Sequence, residues 1–346
     1  MSQSNKSLKN ETIISEKSIF SSDESDSSSE SDSEIKFMDE EDFNIEKNLP
    51  KKKPIVKKIM VKKITGNRSI LSHILIDAKN YNFKTWQECF TDNKVVLRSL
   101  VSNTNWDDFF DSIENTKWFI KLQKDLSCIV KKNKTIVPFP ELLFNSLNAL
   151  SPDKIKVVIL GQDPYPGVCN TNNQAPHAMG CSFSAPYNCS TPKSLINIFK
   201  NALKYGHIRK MPENGCLASW IFQGCFMINS AFTTVLGNSK VHSSTWKEFT
   251  KELLNYIVSK CQDLVFVLWG ADAHSLCKEI NPEKHCLITS SHPSPYSADG
   301  SLNGEEYGSS KNKKNVSYPA FNNQDHFGKV NNYLKSKNKK QIFWDF

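Results

Sequence analysis

Four side chains in this sequence are of types that could do chemistry together: Asp163, Tyr165, Asn229 and His292. A carboxylate can orient a water molecule, take its proton and favour a neighbouring cation. A neutral imidazole can donate a hydrogen bond to an atom on which negative charge grows. A side-chain amide offers one acceptor and one donor, so it can read a partner that presents the matching pair. An aromatic ring beside them can reject a bulkier partner by shape. Taken singly, each has a plainer use: an Asp bonding its own loop amides, an Asn capping a turn, a His held for structure, a Tyr in a core.

The elements that carry them favour the joint reading. Lys156-Val157-Val158-Ile159-Leu160 is a continuous apolar run, which predicts a strand buried on both faces. Gly161, Pro164, Pro166 and Gly167 break it and set Asp163 and Tyr165 on a stiff loop at its carboxyl end. Cys225-Phe226-Met227-Ile228 ends at Asn229, and Leu264-Val265-Phe266-Val267-Leu268-Trp269 ends at Gly270. His285-Cys286-Leu287-Ile288-Thr289 runs into Ser290-Ser291-His292-Pro293-Ser294-Pro295. In open parallel α/β sheets, ligands bind beyond the carboxyl ends of the strands. Residues 194–205 and 244–259 have apolar residues at helical spacing and supply the crossovers that parallel strands need.

Gly161-Gln162-Asp163-Pro164-Tyr165, Gly180-Cys181-Ser182-Phe183-Ser184, Asn229 and His292-Pro293-Ser294-Pro295, in that order, resemble the motifs of the family 1 uracil-DNA glycosylases. The resemblance runs from about Trp106 to the C-terminus, with two or three insertions. It implies a single α/β domain with a central four-stranded parallel sheet flanked by helices. It implies an enzyme that flips uracil out of DNA and hydrolyses its N-glycosidic bond, leaving an abasic site and needing no metal or cofactor. In that frame Asp163 activates water and His292 stabilises the leaving uracil at O2. Asn229 reads uracil N3–H and O4, which cytosine presents in reverse. Phe183 stacks on the base, Tyr165 stands where a thymine methyl would clash, and Gln162 shapes the pocket through its backbone. Ser190, Pro192, Ser194, Gly270 and Ser294 fall on loops that contact the DNA backbone, where small residues let main-chain amides approach phosphates.

The sequence departs from that pattern at named places. Pro166 stands where the family has a His near the catalytic water, and Ala271 replaces a Ser. Tyr296 stands where the family usually has a Leu wedge, and we expect it to fill the gap left by the flipped base. No Arg follows closely after Ser297, so Lys311, Lys313 and Lys314 are the candidates for replacement charge.

The 346 residues carry a net charge of +8, unevenly spread. Residues 1–50 hold 13 Asp or Glu and 5 Lys, so the remainder is strongly basic. A basic body suits a polyanion such as DNA, or a lysine-rich surface kept for solubility. Residues 1–50 are acidic, Ser-rich and too polar to offset the entropy of ordering, so we expect a disordered tail. Residues 51–80 read as a basic linker that doubles as a nuclear-import or nucleic-acid patch, or as solvated linker alone. The catalytic domain is expected over 81–346, with Trp106, Phe109, Phe110, Ile113, Trp118, Phe119 and Leu122 in its core and a helix over 141–150. A mobile polar insertion is expected over 297–318.

The ten cysteines include no Cys-x-x-Cys pair, so zinc and iron–sulfur spacing is absent. Free thiols suit a reducing compartment, and no apolar run reaches the roughly 18 residues of a membrane span. The expected partner is uracil-containing DNA, with a replication or polymerase component as a second class, no membrane, and a monomeric state. The expected location is intracellular: nucleus, cytoplasm or a viral replication site, since the Lys, Asn and Ile bias resembles the extended glycosylases of large DNA viruses. The rival reading is a DNA-binding or polymerase-processivity subunit on the same fold. Asp163, Asn229 and His292 favour an enzyme, and a missing Gly-x-Ser-x-Gly elbow argues against an α/β hydrolase.

Overall fold

Eight strands are described by the computed structural model, which covers residues 73–132, 134–308 and 314–346. They are β1 Ile136–Val137, β2 Val157–Gly161, β3 Cys225–Asn229, β4 Thr234–Val235, β5 Val265–Trp269, β6 Cys286–Ser290, β7 Leu302–Glu305 and β8 Asn315–Tyr318. Four of them form one parallel sheet in the order β3-β2-β5-β6, the four apolar runs read from the sequence. The register pairs Gly161 with Asn229 and Trp269 with Ser290, so the carboxyl ends stop level with one another.

Alternation along these strands sends side chains to two cores. Val158, Leu160, Phe226, Ile228, Phe266 and Leu268 face the helices Asp107–Ile113, Lys117–Val130 and Ser243–Lys260. Trp106, Phe109, Phe110, Phe119, Trp246 and Phe249 fill that layer with edge-on, tilted and stacked rings, while Trp118 is half-buried at its rim. Val157, Ile159, Met227, Val265 and Val267 face the helices Lys193–Lys204 and His326–Ser336. Burial on both faces explains why these strands carry unbroken apolar runs. Among the described residues, no helix is long and apolar enough to cross a membrane.

The structure departs from the sequence reading in four places. Residues 73–80, read as the end of the linker, pack into the body: Ile74, Ile76 and Ala78 are buried, Ala78 N donates to Tyr187 O, and Tyr187 N donates to Ile76 O. The helix expected over 141–150 is broken into a turn at Pro140–Leu142 and a short helix at Asn145–Ala149. The break sets Asn145 to donate to the carbonyls of His73 and Met179, and Ser146 Oγ to accept from Met227 N. The insertion 297–318 is not a bare loop, because β7 and β8 pair antiparallel. Tyr307, just past β7, packs on His274, and its hydroxyl meets His274 Nδ1 and Thr289 Oγ1, which anchors the hairpin. Finally, Cys169 and Cys189 are joined as a disulfide, so the thiols are not all free. The expected acidic tail, most of the basic linker, Lys311 and Lys313 lie outside the described residues.

Candidate active site

Beyond the carboxyl ends of β2, β3 and β6 lies a cavity of about 140 Å³. A cavity of roughly 150 Å³ admits one six-membered ring. Its lining includes Gln162, Asp163, Tyr165, Phe183, Ser194, Asn229 and His292. The structure thus brings together both expected catalytic residues and all four expected substrate-binding residues.

Asn229 ends β3 beside Gly161, and a Cβ added at Gly161 would lie 2.2 Å from Asn229 Oδ1. The amide therefore occupies the volume that any other side chain at Gly161 would need. Phe183 is held from the opposite wall. Ser182 Oγ donates to Ile159 O at 2.9 Å and Ser182 N to Met227 O at 3.2 Å, which fastens the segment to the sheet. Phe183 itself has φ +59°, a conformation that costs a non-glycine residue on the order of 1–3 kcal/mol. That backbone aims the ring at the cavity, 5.2 Å edge-on from Trp269 and 6.0 Å from His292. Tyr165 donates its hydroxyl to Phe183 O at 3.2 Å, so the two aromatic walls are linked.

Asp163 is half-buried and accepts from Lys240 N at 2.5 Å. Burial pushes its carboxyl up, and Asp272 adds to that; the Lys240 amide and ammonium pull it down. Lys240 Nζ lies 3.7 Å from Asp272, and Asp272 also receives the side chain of Gln162. Burial holds the His292 imidazole down at about 4, so it is neutral at pH 7. Its Nδ1 accepts from Ser294 N at 3.0 Å. A backbone amide can only donate, so the ring proton sits on Nε2. Gly270 has φ +99°, and a Cβ there would lie 3.1 Å from His292 Cβ, which makes glycine the residue that lets the His292 loop close in.

The residues expected to meet DNA come from three stretches, 190–194, Gly270 and Ser294, the last two in contact with His292. Pro192 precedes the helix Lys193–Lys204, Ser194 lines the cavity and Ser190 is exposed. The Ser294 carbonyl accepts from Ser297 N and Ala298 N, which closes the turn that displays Tyr296, 96% exposed. Sequence reasoning missed Lys240 and Asp272, and also Asn197, whose amide donates to Pro293 O at 2.8 Å and braces the His292 loop. None of the three belongs to a motif, and their role comes from position alone.

Residues 148–335 match the family described as the uracil DNA glycosylase superfamily. A curated relative from Acanthamoeba polyphaga mimivirus, named a probable uracil-DNA glycosylase, is 57% identical over 282 residues, 82% of this chain and 75% of its own length. The uracil-DNA glycosylase of Borreliella burgdorferi (strain ZS7) is 38% identical over 240 residues, 69% of this chain and 96% of its own. The crystal structure of mimivirus uracil-DNA glycosylase superposes with a TM-score of 0.78 at 57% identity, covering 81% of this chain and all of that one. With the parallel sheet and the ring-sized cavity at its strand ends, these matches place the chain in the uracil-DNA glycosylase superfamily.

Proposed function

We infer that this chain excises uracil from DNA by hydrolysing the N-glycosidic bond, and that Asp163, His292 and Asn229 divide the work. Family membership carries the activity. The observation that best supports the division is the His292 tautomer: a neutral ring with its Nε2 proton free to donate, lining one cavity with a carboxylate and an amide.

Breaking the bond leaves negative charge on the uracil and positive charge on the sugar. Nε2–H of His292 donates to uracil O2 as charge grows there, and a preorganised donor of this kind costs no rearrangement during reaction. Asp163, held by the Lys240 amide, orients the water and stabilises the cationic sugar. Asn229 accepts from uracil N3–H and donates to O4. Phe183 stacks on the ring, and Tyr165 leaves no room for a methyl at C5. Tyr296, exposed on its turn, fills the gap in the duplex. Ser190, Pro192, Ser194, Gly270 and Ser294 grip the strand on either side. With no Lys nucleophile in the scheme, the product is an abasic site on an uncut strand. We further place the protein inside the cell, acting as a monomer in the nucleus, the cytoplasm or a viral replication site, with a replication component as a second partner.

The test is incubation of the purified chain with uracil-containing DNA, scoring free uracil and strand breaks before and after alkali. Free uracil with breaks only after alkali is expected. Tight DNA binding without uracil release would instead support the processivity-subunit reading.

A further inference from the structure

We propose that Cys169, His177 and Cys189 form a metal site that takes one zinc ion when the two thiols are reduced, tying the loop after Asp163 to the loop that leads into Ser190. The two sulfurs and one imidazole nitrogen lie within 4.8 Å of one another. Tetrahedral zinc with Zn–S near 2.3 Å and Zn–N near 2.0 Å sets its ligand atoms about 3.5 Å apart. A small rearrangement of three side chains reaches that spacing, and water completes the fourth position.

The backbone holds two of the ligands in place without help from the sulfurs. Cys169 N donates to Ala175 O at 2.7 Å and His177 N to Gly167 O at 3.0 Å, with Val168 bridged to Pro176. Cys169 and His177 therefore lie diagonally on either side of the Val168–Pro176 pair, on the same face of a small antiparallel ladder. An independent observation points to a missing partner: Nε2 of His177 is buried with no hydrogen bond. The spacing, seven residues and then eleven, matches no zinc signature, which is why the sequence alone did not suggest it.

In the structure the same two sulfurs are joined. Reduction by two equivalents of a small thiol returns two cysteine thiols and one small-molecule disulfide. Zinc then replaces the two thiol protons, which are released to solvent. Covalent or metal-bound, the centre joins the same two loops, so it braces both sides of the cavity in either state.

Cobalt(II) is the probe, because thiolate ligation gives it a charge-transfer band and tetrahedral ligation gives it strong visible bands. The full chain is reduced with a phosphine, stripped with a chelator, desalted and titrated. One equivalent of cobalt with both signatures, displaced by one equivalent of zinc, is expected. The double variant Cys169→Ser, Cys189→Ser should lose the charge-transfer band, and His177→Gln should weaken binding at least tenfold. Cys128→Ser, at an exposed free cysteine, should change nothing. If the serine variants fold poorly, wild-type chain oxidised with glutathione disulfide serves instead, and it should bind no cobalt while keeping its uracil-excision activity. Undiminished cobalt binding by the oxidised chain or the double variant, or no thiolate band in the reduced wild type, would overturn the site.

Discussion

The main-chain amide of Lys240 donates to Asp163 Oδ2 across 2.5 Å, and the ammonium of the same residue lies 3.7 Å from Asp272. One residue thus positions the carboxylate through its backbone and tunes it through its side chain. Asp163→Asn keeps a polar group on the Lys240 amide but cannot hold charge beside the sugar. The rate of uracil release should fall about 10²–10⁴-fold, with binding to uracil-containing DNA retained. Turnover within tenfold of wild type would remove Asp163 from the catalytic role.

The acid limb of kcat/KM should move with Lys240 and Asp272. Activity needs Asp163 ionised and His292 neutral, so it is present at neutral pH and lost as pH falls. The His292 pKa, near 4, and that of Asp163, raised by burial, place the loss on the acid side. Lys240 lowers both pKa values and Asp272 raises both. Lys240→Met should therefore shift the limb to higher pH, and Asp272→Asn to lower pH. A pH profile that moves the same way in both variants would contradict this electrostatic account.

Base selection should depend on the contact between Gly161 and Asn229. Gly161→Ala drives a methyl into the amide and against Ser182, so overpacking should cost about 1–3 kcal/mol of stability. Uracil excision should fall at least a hundredfold, well beyond what that loss of stability explains. Asn229→Asp should lower uracil excision and introduce some cytosine excision, because a suitably protonated carboxyl can accept from the cytosine amino group. Release of labelled cytosine is the direct measurement, and its absence would reject the hydrogen-bond reading of Asn229.

Truncation should separate tail from body. Removing residues 1–72 spares every contact described above. Removing 1–80 also strips Ile74, Ile76 and Ala78 from the core, and two buried Ile side chains are worth about 3–6 kcal/mol. The longer deletion should unfold at markedly lower urea concentration than the shorter one. Comparing log K against log salt for the full chain and the shorter deletion then reads the charge of the tail.

Tyr296 should matter for duplex DNA and little for single strands. It is 96% exposed, so its removal leaves no hole in the protein. Stacking on neighbouring bases is worth about 1–3 kcal/mol per base. Tyr296→Ala should lower activity on double-stranded substrate by about 5- to 150-fold and spare single-stranded substrate. Tyr296→Phe should restore nearly all of it, since stacking does not need the hydroxyl. Equal losses on both substrates would refute the wedge.

The sheet was legible because strands buried on both faces must be apolar throughout, as Val157 to Leu160 are. The residues around the cavity were legible because each follows a strand and belongs to a recognisable motif. Lys240 escaped because its hold on Asp163 is a backbone amide, which no side-chain pattern reports. Cys169 and Cys189 escaped because twenty residues of chain fold back to join them. The hairpin was hidden for another reason: Asn303, Gly304 and Ser317 are poor strand formers, and the pairing is held from outside by Tyr307.

The stem of that hairpin is closed on itself. Ser291 N donates to Pro319 O at 3.1 Å, and Phe321 N donates to Ser291 Oγ at 2.9 Å. The chain leaves the sheet and returns to it at the same point, so the length of the excursion is uncoupled from the geometry of the strand end. Doubling such a loop costs only about 0.6 kcal/mol in closure entropy. This edge of the molecule can gain or shed whole segments over evolutionary time, or accept a grafted peptide between β7 and β8, while the imidazole one residue past Ser291 stays where it is.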